Sequence, residues 1–125
     1  MDDRARKEAG AAAENAALKH LSAAGLKLVA RNYRCRGGEL DLVMIDSRTL
    51  ALIEVRYRSS DDFGGAAASV NWFKQRRIIL AARHLLTTRS DLRRYPARFD
   101  VIAVSGFDWL KPRIEWIKAA FILDR

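Results

Sequence analysis

The hydrophobic positions change their spacing along the chain, and these changes divide the first half into one helix and three strands. Residues 4–24 are rich in alanine, carry leucines spaced for one helical face, and run up to Gly25, a residue that commonly ends helices. Residues 26–33 alternate well enough for a strand, and two further apolar runs of strand length follow at 40–45 and 50–57. Residues 46–49 favour a tight reversal, so the last two segments are predicted to form a hairpin.

The second half of the chain predicts another helix and two more strands. Residues 69–87 resume helical spacing, and Ser69 is the expected N-cap. The apolar positions of this helix are Val70, Phe73, Ile78, Ala81 and Leu85. Residues 98–105 and 113–119 are typical of strands. Loops are expected at 59–65 and 106–112.

The resulting order is αβββαβ with one further strand. A strand, a helix and a strand in succession predict a right-handed crossover, which makes the fourth strand parallel to its neighbour. We therefore expect an α/β fold with a mixed β-sheet flanked by helices. With 125 residues, half of them hydrophobic, the chain suits a single domain spanning 1–125.

Cysteine use and hydropathy limit the cellular setting. Cys35 is the only cysteine, which excludes an intramolecular disulfide and a thiolate metal cluster within one chain. The first residues, MDDRARKEAG, lack the apolar stretch of a signal peptide, and no apolar run approaches the roughly 20 residues that span a bilayer. These features predict a cytoplasmic protein with no membrane segment.

The charge balance predicts a polyanionic partner. Lysine and arginine outnumber the acidic residues 23 to 15, for a net charge of +8 and a pI near 10.2. Nucleic acid is the commonest partner of such a surface, and the simpler alternative is a basic protein with no such ligand. DNA and RNA backbones carry the same negative charge, so the charge balance does not distinguish between them. The basic clusters lie at 31–36, 74–77 and 93–98, and the candidate nucleic-acid contacts are Arg34, Arg36, Lys74, Arg76 and Arg77.

The hairpin carries acidic residues where a buried core would be expected. A turn centred between Ser47 and Arg48 places Asp41 opposite Glu54, where two like charges repel. Arg56 projects from the same face as Glu54, two positions along the strand. Two carboxylates with backbone oxygens form a hard-oxygen site suited to Mg²⁺, while Arg56 could instead simply neutralise both acids in a salt-bridge cluster. Spacing alone leaves both interpretations open.

These acidic residues belong to a wider set that resembles a known family. The set comprises Glu14, residues 32–34, 38–42 and 53–58, Lys74, and residues 98–101. It resembles the YraN-type family of uncharacterised bacterial proteins, over nearly the whole chain from Glu14 to Phe121. That family is similar to Holliday-junction resolvases and shares their restriction-endonuclease-like PD-(D/E)XK fold, which has an αβββαβ core.

The resemblance implies a site for Mg²⁺ or Mn²⁺ and a DNA endonuclease, with branched or junction DNA as a candidate substrate. Asp41 corresponds to the first metal-binding aspartate and Glu54 to the second acid, and the Val55 carbonyl commonly supplies a further ligand in such folds. Glu14 resembles an extra acid that completes the site, although a solvated helical carboxylate is an equal alternative. By analogy, paired incisions at a junction imply a symmetric homodimer.

Arg56 departs from the family pattern, which has lysine there. Arginine does not lose its proton in proteins, so Arg56 is a poor general base for activating water. It can still bind a phosphate through two parallel hydrogen bonds and stabilise charge developing at phosphorus. The alternative to an active nuclease is therefore a catalytically inactive nuclease-like protein that binds nucleic acid.

The remaining candidates each have two interpretations. Lys74 either lends an amine to the site, as lysines on this helix do in the fold class, or contacts phosphate beside Gln75, Arg76 and Arg77, which we prefer. Glu39 is either a further ligand or a partner of Arg34 or Arg36. Asp100 is expected to be structural, fixing a neighbouring arginine or a turn. Aromatic side chains can stack on bases, but core packing is preferred for Phe73, and Trp72 is left open.

Overall fold

The predicted order of elements is confirmed. The computed structural model describes residues 2–58, 70–106 and 111–121. The elements are α1 (Asp3–Ala23), β1 (Lys27–Cys35), β2 (Gly38–Asp46), β3 (Thr49–Arg58), α2 (Trp72–Thr88), a short 3₁₀ helix (Ser90–Leu92), β4 (Ala97–Ser105) and β5 (Arg113–Phe121). The predicted loop at 59–65, part of the loop at 106–112 and the predicted cap Ser69 lie outside the described residues.

The strands form one mixed sheet in the order β1-β2-β3-β4-β5. Neighbouring strands are antiparallel except β3 and β4, which run parallel and are connected through α2. This is the parallel step that a crossover helix requires. The predicted α/β fold with a mixed sheet and flanking helices is therefore confirmed.

The two helices cover opposite faces of the sheet, and each face has its own apolar core. Helix α1 packs on β3 and β4, whereas α2 packs on β2 and β1. The core under α1 includes Ala13, Ala17, Leu21, Leu42, Met44, Ala51, Ile53, Ile102 and Val104. The core under α2 includes Leu40, Val43, Leu50, Leu52, Ile78, Ala81, Leu85, Phe99 and Val101. Because both faces are covered, the central strands are buried on both sides.

Helix α1 ends where the sequence predicted. Gly25 has a φ of 98°, a conformation that costs glycine little, and its N–H bonds the Ser22 carbonyl at 3.0 Å. The Leu26 N–H bonds the Leu21 carbonyl at 3.1 Å, and both leucine side chains are buried. These two bonds define a Schellman motif. In the part of the chain that the structure describes, no helix is long and apolar enough to cross a membrane.

Helix α2 differs from the prediction at its first turn. It begins at Trp72, and the Asn71 side chain caps it by accepting a hydrogen bond from the Lys74 N–H at 2.9 Å. Ile78 and Leu85 face the core as expected. The preference for Phe73 as a core residue is wrong, because 72% of its surface is exposed. Phe73 lies five residues before Ile78, a spacing that does not place two side chains on one helical face.

Candidate metal and nucleic-acid site

The predicted hairpin register brings Asp41 to Glu54. The pairing of β2 with β3 runs from Asp46 with Thr49 to Leu42 with Ile53, so Asp41 and Glu54 are the next positions in the same register. They are not themselves paired. Instead, the Val55 N–H donates a 2.8 Å hydrogen bond to Asp41 Oδ2, which fixes the orientation of this carboxylate.

Strand β2 changes the face that it presents at this point. Leu40 packs in the core under α2, whereas Leu42, two residues later, packs in the core under α1. In a regular strand, residues two apart share a face. Asp41 therefore sits where the alternation is interrupted, which lets its side chain interact both with Val55 and with Glu54.

Glu54 is a buried carboxyl group with a polar partner on only one of its two oxygens. Its exposed fraction is 4%, and Oε2 has no hydrogen-bond partner. Burial, followed by the neighbouring Asp41 carboxylate, raises the pKa of Glu54 to about 8, and the Lys74 ammonium opposes this rise without cancelling it. An unsatisfied buried oxygen is costly in a folded protein and calls for an explanation.

The cation at Glu54 comes from helix α2. Lys74 Nζ lies 3.2 Å from Glu54 Oε1 and 3.5 Å from Glu39 Oε1. Of the two interpretations for Lys74, these contacts agree with the amine at the carboxylates, and the phosphate contact that the sequence made preferable stays a prediction. Glu39 is its second partner, with Arg34 Nε at 4.0 Å. Strand alternation puts Arg56 on the Glu54 face, and its side chain is half-buried.

Helix α2 reaches the carboxylates because Gly38 leaves room for it. A Cβ atom at Gly38 would lie 2.4 Å from the Arg77 carbonyl oxygen and 3.0 Å from the Ala81 nitrogen. Any larger residue would therefore push α2 away from the start of β2. Gly38, directly before Glu39, thus allows the close approach that brings Lys74 to the site.

Glu14 faces the site from helix α1 on the other side of the sheet. A cavity of about 180 Å³ is lined by Gly10, Ala13, Glu14, Asp41, Val55 and Tyr57. Glu14 Oε1 accepts hydrogen bonds from Arg31 Nε and Nη2 at 3.1 and 2.9 Å, and from Asn32 Nδ2 at 3.0 Å. Its side chain is 13% exposed, so the solvated carboxylate is the less suitable description. Glu14 is held in place by Arg31 and shares a cavity with Asp41.

The predicted nucleic-acid contacts lie on the α2 side of the molecule. Arg76 and Arg77 are exposed on α2, and Arg34 and Arg36 are exposed at the end of β1 and in the turn that follows it. Arg98, from the third basic cluster, is instead bound within the sheet by Asp46 and Asp100. Helix α2 therefore carries both the exposed Arg76 and Arg77 and the Lys74 that contacts the carboxylates.

Asp100 has the structural surroundings expected for it. This fully buried carboxylate accepts four hydrogen bonds, two on each oxygen. The donors are Arg98 Nε and Nη2, Trp116 Nε1 and the Ala119 N–H, at 2.8 to 3.0 Å. These bonds tie β4 to β5 close to an irregularity in their register. Asp100 has no vacant oxygen to offer a ligand.

The donor set at Asp41 and Glu54 fits a hard divalent cation. Within residues 2–58, 70–106 and 111–121, no group of three or more His, Cys, Asp or Glu side chains is arranged to hold a metal ion, so the converging protein ligands are two carboxylates. The unpartnered Glu54 Oε2 beside Asp41 is what a cation would satisfy. Mg²⁺ commonly takes one or two carboxylates and keeps several waters, so two carboxylates suffice.

Sequence reasoning ranked a phosphate contact for Lys74 above a position at the carboxylates, although the signal for that position was present. Lys74, Ile78, Ala81 and Leu85 follow one another at spacings of four, three and four, which places all of them on one helical face. Three of these residues are buried against the sheet, and Lys74 extends from the same stripe to Glu54. The exposure of Trp72 and Phe73 follows from the same geometry, since neither lies on that stripe.

The fold and these residues together define the chain as an α/β protein of the restriction-endonuclease-like class. Residues 13–104 match the model of the family described as Uncharacterised protein family UPF0102. The chain belongs to this family, which confirms the YraN-type resemblance.

Similar proteins from several bacteria carry the same family name. A UPF0102 protein of Pseudomonas putida strain KT2440 is 49% identical over 90% of this chain and 91% of its own length. One from Pseudomonas entomophila is 47% identical over 97% and 98%. One from Cupriavidus pinatubonensis is 53% identical over 92% and 86%. The similarity thus extends over nearly the whole of each protein.

Proposed function

We propose that this protein is a metal-dependent endonuclease that hydrolyses phosphodiester bonds in DNA, with branched or junction DNA as its substrate. The observation that carries the proposal is the buried Glu54 carboxyl group, which has an unpartnered oxygen beside Asp41 and a lysine ammonium at 3.2 Å. A fold rarely keeps such a group unless a ligand completes it.

The Asp41 and Glu54 carboxylates and the Val55 carbonyl would hold Mg²⁺ or Mn²⁺. When bound, this cation would lower the pKa of a coordinated water and polarise the phosphate. Glu54 must be ionised to act as a ligand, and the Lys74 ammonium favours the ionised form. The hydrogen bond from Val55 holds Asp41 in a fixed orientation, which is how supporting contacts position a metal ligand.

Lys74 takes the role that the family pattern gives to the lysine at position 56. Its ammonium already lies between Glu39 and Glu54, and lysine has three donors with which to bind a phosphate oxygen at the carboxylates. Charge that develops on that oxygen during hydrolysis would be stabilised by the same group. Arg56 then need not act as a base and serves as a phosphate-binding residue.

The exposed arginines supply affinity for the nucleic-acid backbone. Arg34, Arg36, Arg76 and Arg77 contact phosphates, which positions the substrate but carries no sequence information. Binding should weaken steeply as salt rises, and a flat salt response would contradict the nucleic-acid assignment. RNA is tested alongside DNA because both carry the same backbone charge. Sedimentation at working concentration tests the symmetric homodimer that paired incisions require.

A cleavage assay tests the proposal directly. Labelled four-way-junction, single-stranded and double-stranded DNA are incubated with Mg²⁺ or Mn²⁺ and wild type, Asp41→Asn, Lys74→Met, Arg56→Met or Arg56→Lys. We expect wild type to cut, Asp41→Asn to fall to background and Lys74→Met to lose about 10²–10³-fold. Arg56→Met should raise KM more than it lowers kcat, because Arg56 is proposed to bind the substrate phosphate. Full activity in Asp41→Asn would refute the site.

The second candidate is a nuclease-like protein that binds nucleic acid without cutting it. The observation in its favour is that Lys74 already supplies a counter-ion to Glu54, as in a salt-bridge cluster that needs no metal. The two candidates differ in metal binding. A melting temperature that rises with Mn²⁺ in wild type but not in Asp41→Asn supports the nuclease, and no rise in either supports the binding protein.

A further inference from the structure

Helix α2 exposes two large aromatic side chains at its first turn. Trp72 is 59% exposed and Phe73 is 72% exposed, and their rings meet edge to face with centroids 5.2 Å apart. Leu80, two turns further along the helix, is 46% exposed. Grouped apolar exposure of this kind marks a surface that something else covers.

These side chains line a groove that also carries arginines. The groove encloses about 730 Å³, within the range of sites that take small organic groups. It is lined by Gly37, Trp72, Phe73, Arg76, Arg77, Ile79, Leu80 and Arg83. The Arg76 guanidinium lies 4.9 Å from the centroid of the Trp72 ring. The lining of the groove therefore combines flat aromatic rings with positively charged guanidinium groups.

The charged residues that line the groove are all basic. Residues 72–88, the whole of α2, contain four Lys or Arg side chains and no Asp or Glu. The end of β1 and the turn that adjoins the groove through Gly37 add Arg34 and Arg36. An apolar peptide or a second copy of this basic helix would bring no negative charge to balance these side chains. The complementary ligand has flat apolar groups joined by regularly spaced anions.

The groove begins on the turn of α2 that contacts the carboxylates. Phe73 lines the groove, and the next residue, Lys74, contacts Glu54 and Glu39. A ligand at Trp72 and Phe73 would therefore lie within one helical turn of the residue that contacts Glu54. This proximity places the binding surface near the proposed chemistry.

We propose that this groove binds an unpaired nucleic-acid strand, with bases stacked on Trp72 and Phe73 and phosphates held by Arg76, Arg77 and Arg83. The inference rests on the proposed function and narrows its substrate class to DNA with an unpaired segment beside the bond that is cut. Stacking requires bases with an open face, which a paired duplex does not present along its length. Exposed aromatics beside arginines suit such bases.

Binding measured without metal tests the groove separately from catalysis. A short labelled oligothymidylate and a blunt duplex of equal length are titrated, in EDTA, with wild type and the double variant Trp72→Ala/Phe73→Ala. We expect the double variant to bind the oligothymidylate about 10- to 100-fold more weakly and the duplex nearly as well as wild type. Quenching of tryptophan fluorescence by the oligothymidylate should disappear in Trp72→Phe if Trp72 is the stacking ring. An oligouridylate arm separates RNA from DNA.

Two controls separate stacking from charge and from general loss of apolar surface. Leu28 is 44% exposed on β1, so Leu28→Ala removes exposed apolar surface without removing an aromatic ring, and its affinity should match wild type. Arg76→Ala/Arg77→Ala should reduce the dependence of log affinity on log salt by about 1 to 2, whereas the aromatic variant should leave it unchanged.

The outcomes distinguish this inference from the nuclease proposal. Equal oligothymidylate affinity in wild type and Trp72→Ala/Phe73→Ala overturns the inference, whether or not wild type cuts DNA. A dimer that the double variant dissociates, with affinity unchanged, assigns the surface to self-association and also overturns it. Affinity that depends on the rings in a protein that never cuts supports the groove while the nuclease proposal fails.

Discussion

The two buried carboxyl groups of the described residues, Asp100 on β4 and Glu54 on β3, lie on neighbouring strands of the sheet and have opposite surroundings. Asp100 pairs with Ile53, the residue before Glu54. Both oxygens of Asp100 accept two hydrogen bonds each. Glu54 has a lysine contact on one oxygen and no hydrogen-bond donor on the other.

This difference separates a structural acid from a functional one. A buried carboxylate with all its acceptor positions filled stabilises the fold, and it has no capacity left for a ligand. A buried carboxyl group with an open oxygen lowers stability when ionised and can recover that loss by binding a cation. Both residues look alike in the sequence, as acids inside apolar strands.

The largest expected effect is on stability, at Asp100. Replacing it in Asp100→Asn removes the charge that Arg98 pairs with and puts an amide where donors already point. We expect a loss of about 3–5 kcal/mol in the free energy of unfolding, measured by urea denaturation, because breaking a buried ion pair leaves the partner uncompensated.

Two further variants are compared with Asp100→Asn. Asp46→Asn removes the more exposed partner of Arg98, at 24% exposure, and should cost about 1 kcal/mol or less. Glu54→Gln should not lower stability at neutral pH and should raise it, because wild type must take up a proton at Glu54 on folding at that pH whereas glutamine needs none. A cost at Glu54 equal to that at Asp100 would abolish the distinction between them.

The second effect is a pH dependence specific to Glu54. Its pKa is raised from 4.5 to about 8, so between these values the folded chain keeps a proton that the unfolded chain has lost. Stability attributable to Glu54 therefore falls as pH rises, by an amount on the order of a few kcal/mol. Melting curves should show wild type losing stability relative to Glu54→Gln between pH about 5 and about 8.

Metal binding at Glu54 should also depend on pH. A cation bound at Glu54 must displace its proton, so Mn²⁺ affinity should rise toward pH about 8 and binding should release protons. Calorimetry in buffers of different ionisation enthalpy measures the released protons. Affinity that does not change with pH would mean that Glu54 is not a ligand.

The third effect tests the close approach of α2. Gly38→Ala places a methyl group against the Arg77 carbonyl, so α2 must shift, at a cost of about 1–3 kcal/mol. Its matched control is Gly10→Ala in α1, where nothing lies within 4 Å of the added carbon. That variant should gain up to about 1 kcal/mol in unfolding free energy. Similar values for both would show that α2 is not constrained at Gly38.

The smallest effect is expected at Glu14. Glu14→Gln keeps an oxygen for Arg31 and Asn32 but removes the charge, so the stability cost should be about 0.5–1 kcal/mol. If Glu14 also helps to bind the cation, the melting-temperature rise produced by Mn²⁺ should be smaller than in wild type. An unchanged rise would leave Glu14 as a structural partner of Arg31 only.

The sequence predicted most of the fold because local patterns carry that information. The strand periodicity of β2 and β3 and the short turn between them set the register that brings Asp41 to Glu54. Gly25 ended α1 through a backbone conformation that glycine adopts easily. The prediction that Phe73 packs in the core was wrong. Phe73 lies close to the apolar stripe of α2 in the sequence, but its spacing from Ile78 places its side chain on another face of the helix.

By itself, the sequence determined the order of the elements, the hairpin register and which acids could meet, since these depend on periodicity and turn chemistry over short distances. Only the tertiary structure decided that Lys74 of α2 places its ammonium at Glu54, and that Asp100 is satisfied where Glu54 is not. These outcomes depend on how closely α2 approaches β2 and on donors from β5, contacts between elements far apart in the chain. Local patterns do not contain those distances.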